Sequence, residues 1–308
     1  MTLPTQVSLV EVGPRDGLQN ESKSVTIETR VRLIEQLVGA GLRVVEAGAF
    51  VSPKWVPQMA GTAEVLGQLT PHPGVQYPVL VPNTKGYELA LSAGAKEIAL
   101  FGNVSETFSR RNINCSIAES FKLSRDVSKT ARDDGIRIRG YISCVLGCPY
   151  EGEIDPALVA NLSEEMLDLG CYEISLGDTI GTGTPDKVQR LIETCTLHTP
   201  IDRFAVHFHD TYGQALTNIY ASLQVGITTV DSSVAGLGGC PYAHGAAGNV
   251  ATEDVLYMLN GLGIETGVSL EKLVDTANFI SKMLGHEPAS RVSRALIAQK
   301  NSCQSQSR

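Results

Sequence analysis

The stretch VSLVEVGPRDG, residues 7–17, decides between two classes of α/β fold. Its first six residues are a short β-branched run that predicts a strand, and its last five form a turn bounded by glycines. A doubly wound sheet usually carries a G-x-G-x-x-G phosphate turn after its first strand. The turn at residues 13–17 lacks that pattern, so the sequence disfavours a doubly wound sheet.

Seven further strand-like runs follow this first one, and amphipathic helical stretches separate them. The predicted strands are residues 7–12, 44–47, 77–81, 97–101, 136–145, 172–176, 204–208 and 229–234. Their starts recur at intervals of roughly 20 to 40 residues, with a helix after each strand. Eight such units predict an α/β fold of the (β/α)8 TIM-barrel type.

The helical stretches and their ends support the same architecture. Apolar residues recur at helical spacing in 26–38, and a second helix, 117–131, is predicted to follow Asn114 as its cap. Further helices are predicted at 155–169, 185–197 and 217–225, and the glycines expected to end helices are Gly41, Gly94, Gly135, Gly170 and Gly226. We expect a barrel over residues 1–266, additional C-terminal helices over 267–300 and a polar tail over 301–308.

Composition excludes several classes of partner. The 308 residues include 25 basic and 33 acidic side chains, a formal charge of −8 without a basic block, which argues against nucleic acid or anionic lipid. No apolar run approaches the roughly 18 residues of a membrane span. The seven cysteines form no Cys-x-x-Cys pair and predict free thiols in a reducing compartment. With no leader recognised, the expected location is the cytoplasm.

Polar residues at predicted strand ends suggest a metal site, because barrel enzymes carry their chemistry there. His207 and His209 are two residues apart on one strand, so both imidazoles point to the same face. An isolated pair of this kind is as often solvated as it is metal-binding. Asp16 after the first strand and Asn249 after the eighth add oxygen donors, a set that favours Mg²⁺ or Mn²⁺ and leaves zinc and iron open.

Two further features lie near this predicted site. Arg15 precedes Asp16 and is either a structural ion-pair partner or a fixed charge for an oxyanion. Residues 236–248 contain five glycines together with Cys240 and His244, which predicts a mobile segment or a close backbone approach to a ligand. Cys240 is a candidate proton carrier or nucleophile, whereas a surface position is the default for His244.

Six motifs across the chain resemble the 3-hydroxy-3-methylglutaryl-CoA (HMG-CoA) lyase family. They are residues 10–21, 50–59, 148–152, 207–211, 236–242 and 249–254. The His-x-His and Arg-Asp pairs are shared with a wider group of metal-dependent barrel enzymes that includes isopropylmalate and homocitrate synthases. The segment around Trp55 and the segment around Cys240 narrow the resemblance to the lyase branch.

The resemblance implies cleavage of (S)-HMG-CoA to acetoacetate and acetyl-CoA with a divalent cation, in leucine breakdown or ketone-body formation. It matches Arg15 to the catalytic arginine and Cys240 to the loop cysteine. Glu46, Asp178 and, less directly, Glu253 match acidic positions. The residues matched to metal ligands are Asp16, His207, His209 and Asn249.

Each chemical step then has a candidate residue. Asp178, or a water that it orients, would accept the hydroxyl proton, and Arg15 would offset the enolate charge. Either Cys240 or His209 would deliver the final proton. The residues expected to contact the anionic CoA portion are Lys54, Arg110, Arg111 and Asn112. Ala49 replaces a serine found in some family members, which puts one substrate contact in doubt.

Alternative functions remain at this point. The chain could cleave another 3-hydroxyacyl-CoA, or join acetyl-CoA to a 2-oxo acid in a Claisen condensation. A synthase would usually bring a long C-terminal regulatory domain, whereas about 40 residues follow the predicted barrel. A barrel that only binds acyl-CoA would be expected to lack part of the polar set. The sequence leaves open whether the chain forms a homodimer or a higher homo-oligomer.

Overall fold

The computed structural model describes residues 3–239 and 248–306. Within these ranges, nine strands form one curled sheet in which every neighbouring pair is parallel, in the order β2-β1-β9-β8-β7-β6-β5-β4-β3. The strands are β1 Ser8–Glu11, β2 Val44–Val45, β3 Gly48–Ala49, β4 Val79–Leu80, β5 Glu97–Asn103, β6 Arg137–Ser143, β7 Ile174–Asp178, β8 Phe204–Phe208 and β9 Thr229–Ser232.

Helices follow the strands along the chain. They are α1 Ile27–Gly39, α2 Thr62–Gln68, α3 Thr84–Ser92, α4 Glu106–Ile113, α5 Ile117–Asp133, α6 Pro156–Asp168, α7 Pro185–Cys195, α8 Ala215–Gln224, α9 Thr252–Gly261, α10 Leu270–Leu284 and α11 Arg291–Gln306. The alternation of strand and helix confirms the predicted α/β class. Within the described ranges, no helix is long and apolar enough to cross a membrane.

All eight predicted strand positions carry strands, but the one predicted at 44–47 covers only residues 44–45, and a second short strand follows at residues 48–49. β2 pairs with β1 while β3 pairs with β4, so the two ends of the sheet order lie in one chain segment, residues 44–49. Between the two pieces, the backbone N–H of Glu46 donates to Glu11 at 2.9 Å and that of Ala47 to Pro78 at 2.9 Å. The segment therefore bonds to neighbours on both of its edges.

Helix ends largely match their sequence signals, with one correction. The five glycines expected to end helices all have positive φ, for example +112° at Gly41 and +105° at Gly226. The predicted cap of α5 was wrong, because Asn114 instead ends α4 with a φ of +54°. Ser116 caps α5 in a capping box, in which its side chain accepts from the N–H of Glu119 and the Glu119 carboxylate accepts from the N–H of Ser116.

The two C-terminal helices pack against elements that carry the site. α10 lies beside α1 and buries Leu273, Ala277 and Ile280. The carboxylate of Asp254, in the first turn of α9, accepts from Ser290 Oγ at 2.7 Å at the start of α11. α11 continues to Gln306, across the boundary expected at residue 300.

Candidate active site

Asp16, His207 and His209 lie together at the carboxyl ends of β1 and β8. Their ligand atoms lie within 4.8 Å of one another, and His207 Nε2 is 3.8 Å from Asp16 Oδ2. The two imidazole rings have centroids 5.5 Å apart, whereas the intervening Phe208 is buried. The predicted shared face of the two histidines is thus confirmed.

A tight turn between residues 13 and 17 presents Asp16 to the histidines. The backbone N–H groups of Arg15, Asp16 and Gly17 all donate to the carbonyl oxygen of Val12, at 3.1, 2.7 and 3.2 Å. Gly17 has no room for a side chain, because a Cβ would lie 2.8 Å from Leu237 Cβ. The glycine therefore allows this turn to approach the segment after β9.

Asn249 reaches the same group from that segment. Its Nδ2 donates to Asp16 Oδ2 at 2.9 Å, and its backbone forms an antiparallel bridge with His209. The Nδ1 atom of His209 is buried and has no hydrogen-bond partner among the residues that the structure describes. This group of donors fits a divalent cation: it contains two imidazoles, one carboxylate and a neighbouring amide.

The surroundings of the cluster favour the ligand forms of Asp16 and His209, and the protonated form of His207. Although burial opposes it, the charges of Arg15 and His207 lower the pKa of Asp16 to about 2. Burial and the neighbouring His207 lower the pKa of His209 to about 4. Burial disfavours the charged form of His207 as well, yet its hydrogen bond with Asp231 and the charge of Asp16 raise its pKa. Asp16 is anionic and His209 neutral at pH 7, as metal ligation requires.

Arg15 is clamped beside the cluster by two carboxylates. Its Nε donates to Glu46 Oε2 at 2.7 Å, and its Nη1 contacts Asp16 Oδ1 at 2.5 Å. Although burial opposes it, these two negative charges raise the pKa of Arg15. Burial raises the pKa of Glu46, against the effect of Arg15. Glu46 holds the guanidinium in place as a fixed cation next to the donors.

A cavity of about 240 Å³ opens beside this group. The charged and imidazole side chains that line it are Arg15, Asp16, His207 and His209. The apolar side chains that line it are Val51, Val56, Leu80, Phe101, Phe108, Ile113 and Ile142. The site thus places charged donors against an apolar wall, an arrangement typical of small-molecule pockets.

Of the four residues expected to contact CoA, Asn112 lines this cavity. Arg110 is exposed and pairs with Glu106 at 2.8 Å. Arg111 lies 4.3 Å above the ring of Tyr150. Lys54 is exposed. The structure therefore brings one of the four residues to the cavity wall.

Asp178 does not face the cavity. In the register of β7 and β8, Gly177 pairs with His207 and Asp178 with Phe208, so Asp178 lies on the sheet face opposite to His207. Its carboxylate accepts from the N–H of Gly183 at 2.7 Å and from that of Thr182 at 3.1 Å. Burial raises the pKa of Asp178 to about 6 against these hydrogen bonds. Its contacts are with the turn that follows β7.

The predictions for Cys240 and His244 lie outside the described residues. Gly239, the last described residue before them, lines the cavity.

Glu253 is buried in α9 and binds the backbone N–H of Ala235 at 2.8 Å, away from the cavity. Ala49 is buried in β3.

A buried polar network beneath the histidines was missed from the sequence. Arg139 in β6 binds Asp231 in β9 and the hydroxyl of Tyr141, and Ser175 in β7 donates to Asp231. Arg139 and Asp231 are both buried, and each is a charged residue within a strand. A charged residue in the middle of such a strand is the signal that would have indicated an inward-facing network.

Comparison with known proteins assigns the chain to a family. The HMGL-like family model matches residues 6–280. The chain belongs to the HMGL-like family. A lyase of Pseudomonas aeruginosa named for 3-hydroxy-3-isohexenylglutaryl-CoA and hydroxymethylglutaryl-CoA is 58% identical over 298 residues, 97% of this chain and 99% of that protein. The human mitochondrial hydroxymethylglutaryl-CoA lyase is 55% identical over 294 residues, 96% of this chain and 90% of that protein.

Solved structures of HMGL-like relatives have the same fold. The hydroxymethylglutaryl-CoA lyase of P. aeruginosa superimposes with a TM-score of 0.95 at 57% identity, covering 97% of this chain and 100% of that one. An HMG-CoA lyase from A. baumannii, solved with coenzyme A and 3-methylmalate, gives a TM-score of 0.91 at 35% identity and covers 96% of this chain and 97% of that one.

Proposed function

We propose that this protein is a metal-dependent lyase that cleaves (S)-HMG-CoA to acetoacetate and acetyl-CoA. The observation that carries the proposal is the convergence of Asp16, His207 and His209 beside Arg15, at one cavity of an HMGL-like chain. The relatives at 55 to 58% identity are named as lyases for this substrate. The products fit leucine degradation or ketone-body formation.

A closed (β/α)8 barrel would place these residues around one mouth. Residues 44–49 contain both end strands of the sheet order, β2 bonded to β1 and β3 bonded to β4, and this supports closure. We assign residues 1–266 to the catalytic barrel, 267–300 to a helical extension packed on it and 301–308 to a polar tail. In this arrangement, the ends of β1 and β8 meet where barrel enzymes carry their active sites.

Asp16, His207, His209 and Asn249 are the proposed metal ligands. Bound there, Mg²⁺ or Mn²⁺ would lower the pKa of the tertiary hydroxyl of the substrate and fix its orientation. The carboxylate and amide oxygens among the donors favour these two ions. The same four side chains would therefore bind and orient the end of the substrate that reacts.

Arg15 is the proposed catalytic cation. Breaking the bond between C2 and C3 leaves a negative charge on the oxygen of the acetyl-CoA enolate, and a guanidinium held by Glu46 needs no rearrangement to stabilise that charge. The enolate carbon must then be protonated, and Cys240 and His209 are the two candidate donors. Asp178 is proposed to accept the hydroxyl proton through a water that it orients, and its carboxylate also binds the turn after β7.

The CoA portion is proposed to leave the cavity past α4. Asn112 lines the cavity, and Arg110 and Arg111 precede it on the same helix. With Lys54, these side chains would supply local positive charge for the phosphates of CoA in a chain of net charge −8. A 35% identical relative holds coenzyme A in its solved structure, which supports an acyl-CoA ligand.

A second substrate is favoured by one observation. Seven apolar side chains line the cavity, a lining suited to an isohexenyl chain, and the 58% identical relative is also named for an isohexenylglutaryl substrate. Cleavage of 3-hydroxy-3-isohexenylglutaryl-CoA is therefore the alternative function that we propose to test.

A cytoplasmic location is proposed because the described cysteines, at positions 115, 144, 148, 171 and 195, are free thiols.

The deciding experiment is a product assay on purified protein. We expect the protein to release acetoacetate from (S)-HMG-CoA when Mg²⁺ or Mn²⁺ is present. This activity should disappear after chelation and return when either ion is added back. Undiminished turnover by exhaustively demetallated protein would disprove the metal proposal. The isohexenyl analogue, assayed in parallel, decides between a narrow and a broad acyl specificity.

A further inference from the structure

We propose that the buried carboxylate of Glu11 is a positioning residue that holds together three of the chain segments that form the active site. This inference rests on the proposed metal-dependent lyase function, because it concerns the alignment of the metal ligands. Glu11 ends β1 and is fully buried, and it does not line the cavity. Nothing in the proposed chemistry uses it.

Three donors from separate segments converge on Glu11. Its Oε1 accepts from the backbone N–H of Gly13 at 2.8 Å and from that of Val234 at 2.8 Å. Its Oε2 accepts from the hydroxyl of Thr252 at 2.7 Å. Two of these donors lie more than 220 positions away along the chain. The Glu11 side chain thus connects segments that are far apart in the sequence.

Each donor belongs to a segment that supplies part of the site. Gly13 begins the turn that carries Arg15 and Asp16. Val234 begins a short helical turn that precedes the cavity-lining Gly239. Thr252 begins α9, three positions after Asn249. A shift of Glu11 would therefore move Asp16 and Asn249 relative to each other.

Glu253 supports the same turn from the other side. Both of its carboxylate oxygens accept from the N–H of Ala235, at 2.8 and 3.1 Å. Ala235 has a φ of +60°, a left-handed conformation that an alanine rarely adopts. The carbonyl oxygen of Ala235 accepts from the N–H of Ala289 at 2.8 Å. A strained turn held by several partners is typical of a functional site.

The cost of burying Glu11 supports a specific role. Burial raises its pKa to about 7 although Thr252, Val234 and Gly13 all donate hydrogen bonds to it. Burying a carboxylate here costs free energy that an apolar side chain would not cost. A specific role for its three hydrogen bonds would explain why a carboxylate occupies this position. Gly13 is also packed against it, since a Cβ at Gly13 would lie 2.6 Å from Glu11 Oε1.

The test compares Glu11→Ala with Glu11→Gln. Glutamine keeps one oxygen for the two backbone N–H groups, and its amide can donate to the hydroxyl of Thr252, so all three contacts persist. Mn²⁺ binding to demetallated protein, followed by the EPR signal of free Mn²⁺, is the first readout. We expect a dissociation constant raised about tenfold or more for alanine, and within about threefold of wild type for glutamine.

Glu97→Ala is the matched control. Glu97 is also a buried carboxylate, bound to Tyr172 at 2.6 Å and Arg137 at 3.1 Å, but it begins β5 and so lies at the opposite end of the sheet. We expect it to lower the melting temperature without changing the Mn²⁺ affinity. An unchanged Mn²⁺ affinity in Glu11→Ala, or an equal loss in Glu97→Ala, would overturn the proposal.

Two additions keep the test decisive. If Glu11→Ala does not fold, Thr252→Val removes one of the three contacts, and it should raise the Mn²⁺ dissociation constant about threefold; no change overturns the inference. In the absence of metal, backbone amides of the peptide containing residues 13–17 should exchange hydrogen faster in Glu11→Ala and Thr252→Val than in wild type. Wild-type protein that neither binds Mn²⁺ nor cleaves HMG-CoA would disprove the proposed function, and the exchange measurement would still decide the role of Glu11.

Discussion

The Nδ1 atom of His207 lies 3.3 Å from Oδ2 of Asp231, while Nε2 of the same ring lies 3.8 Å from Oδ2 of Asp16. Asp231 also accepts from Arg139 at 2.7 and 3.1 Å and from Ser175 at 2.7 Å. Because Asp231 binds one ring nitrogen, the other is directed at the metal cluster. This carboxylate–histidine pair would set the orientation and tautomer of His207, a proposed metal ligand.

Asp231→Asn should therefore weaken metal binding without removing a ligand. The amide would place an N–H2 group where the carboxylate accepts from Arg139 and His207. We expect the Mn²⁺ dissociation constant to rise about 10- to 100-fold. Calorimetric titration of the demetallated variant measures the change, and circular dichroism checks that the variant is folded.

Ser175→Ala is the matched variant for Asp231→Asn. It removes one hydrogen bond to Asp231 and leaves the carboxylate and its contact with His207 in place. Its Mn²⁺ affinity should stay within about threefold of wild type. Wild-type affinity in a folded Asp231→Asn protein would show that the carboxylate does not orient His207.

Arg15→Gln should separate catalysis from metal binding. Asp16 keeps its contact with Asn249 at 2.9 Å, and Glu46, whose pKa burial raises, can take up a proton when its cationic partner is lost. We expect kcat to fall about 10²- to 10³-fold with little change in Mn²⁺ affinity, since the charge acts mainly in the transition state. Steady-state kinetics at saturating metal measure it.

Arg190→Gln is the control for the loss of an arginine. Arg190 is exposed on α7 and pairs with Asp186 at 2.9 Å. Exposed pairs of this kind contribute little to stability, so activity should be unchanged. A near-normal kcat in Arg15→Gln would reduce Arg15 to the ion-pair partner of Glu46 and Asp16.

Asp178→Asn distinguishes support of a turn from proton transfer. The amide keeps one acceptor for the N–H groups of Gly183 and Thr182 and loses the other, so the turn that starts with the cavity-lining Thr179 should shift. We expect KM for HMG-CoA to rise severalfold together with a fall in kcat. A fall in kcat alone, with unchanged KM, would leave proton transfer as the only role of Asp178.

The strand and helix pattern of this chain was largely predictable because it is local. Short apolar, β-branched runs mark the strands, and most strands that follow one another in sequence are also neighbours in the sheet. The pair His207 and His209 shares a face by strand geometry alone. The division of residues 44–49 into two strands was not predictable, since it depends on two partners that bond to opposite edges of the segment.

Long-range pairing explains what the sequence did not reveal at the site. Arg139 and Asp231 are 92 positions apart, in strands β6 and β9 that β7 and β8 separate in the sheet order, and the curl of the sheet brings them together beneath His207. Asp178 shows how register limits a resemblance: the family motif matches its position, whereas the register of β7 with β8 places its side chain on the sheet face opposite to His207. Family motifs identify positions, whereas strand register decides which way a side chain points.

The stability of the protein should fall between pH 7 and pH 9 because of Glu253. Burial raises the pKa of this carboxyl from its ordinary value of 4.5 to about 8. Folding thus favours the protonated form, and this contribution is complete below about pH 4.5 and is lost as the pH rises through 8. From pH 7 to 9 the loss is about 1.4 kcal/mol. Thermal melts of wild type and Glu253→Gln should show the melting temperature of wild type falling by about 2 to 4 °C more than that of the variant. The difference between the two proteins cancels the other titrating groups, so parallel curves would show that Glu253 is ionised throughout this range.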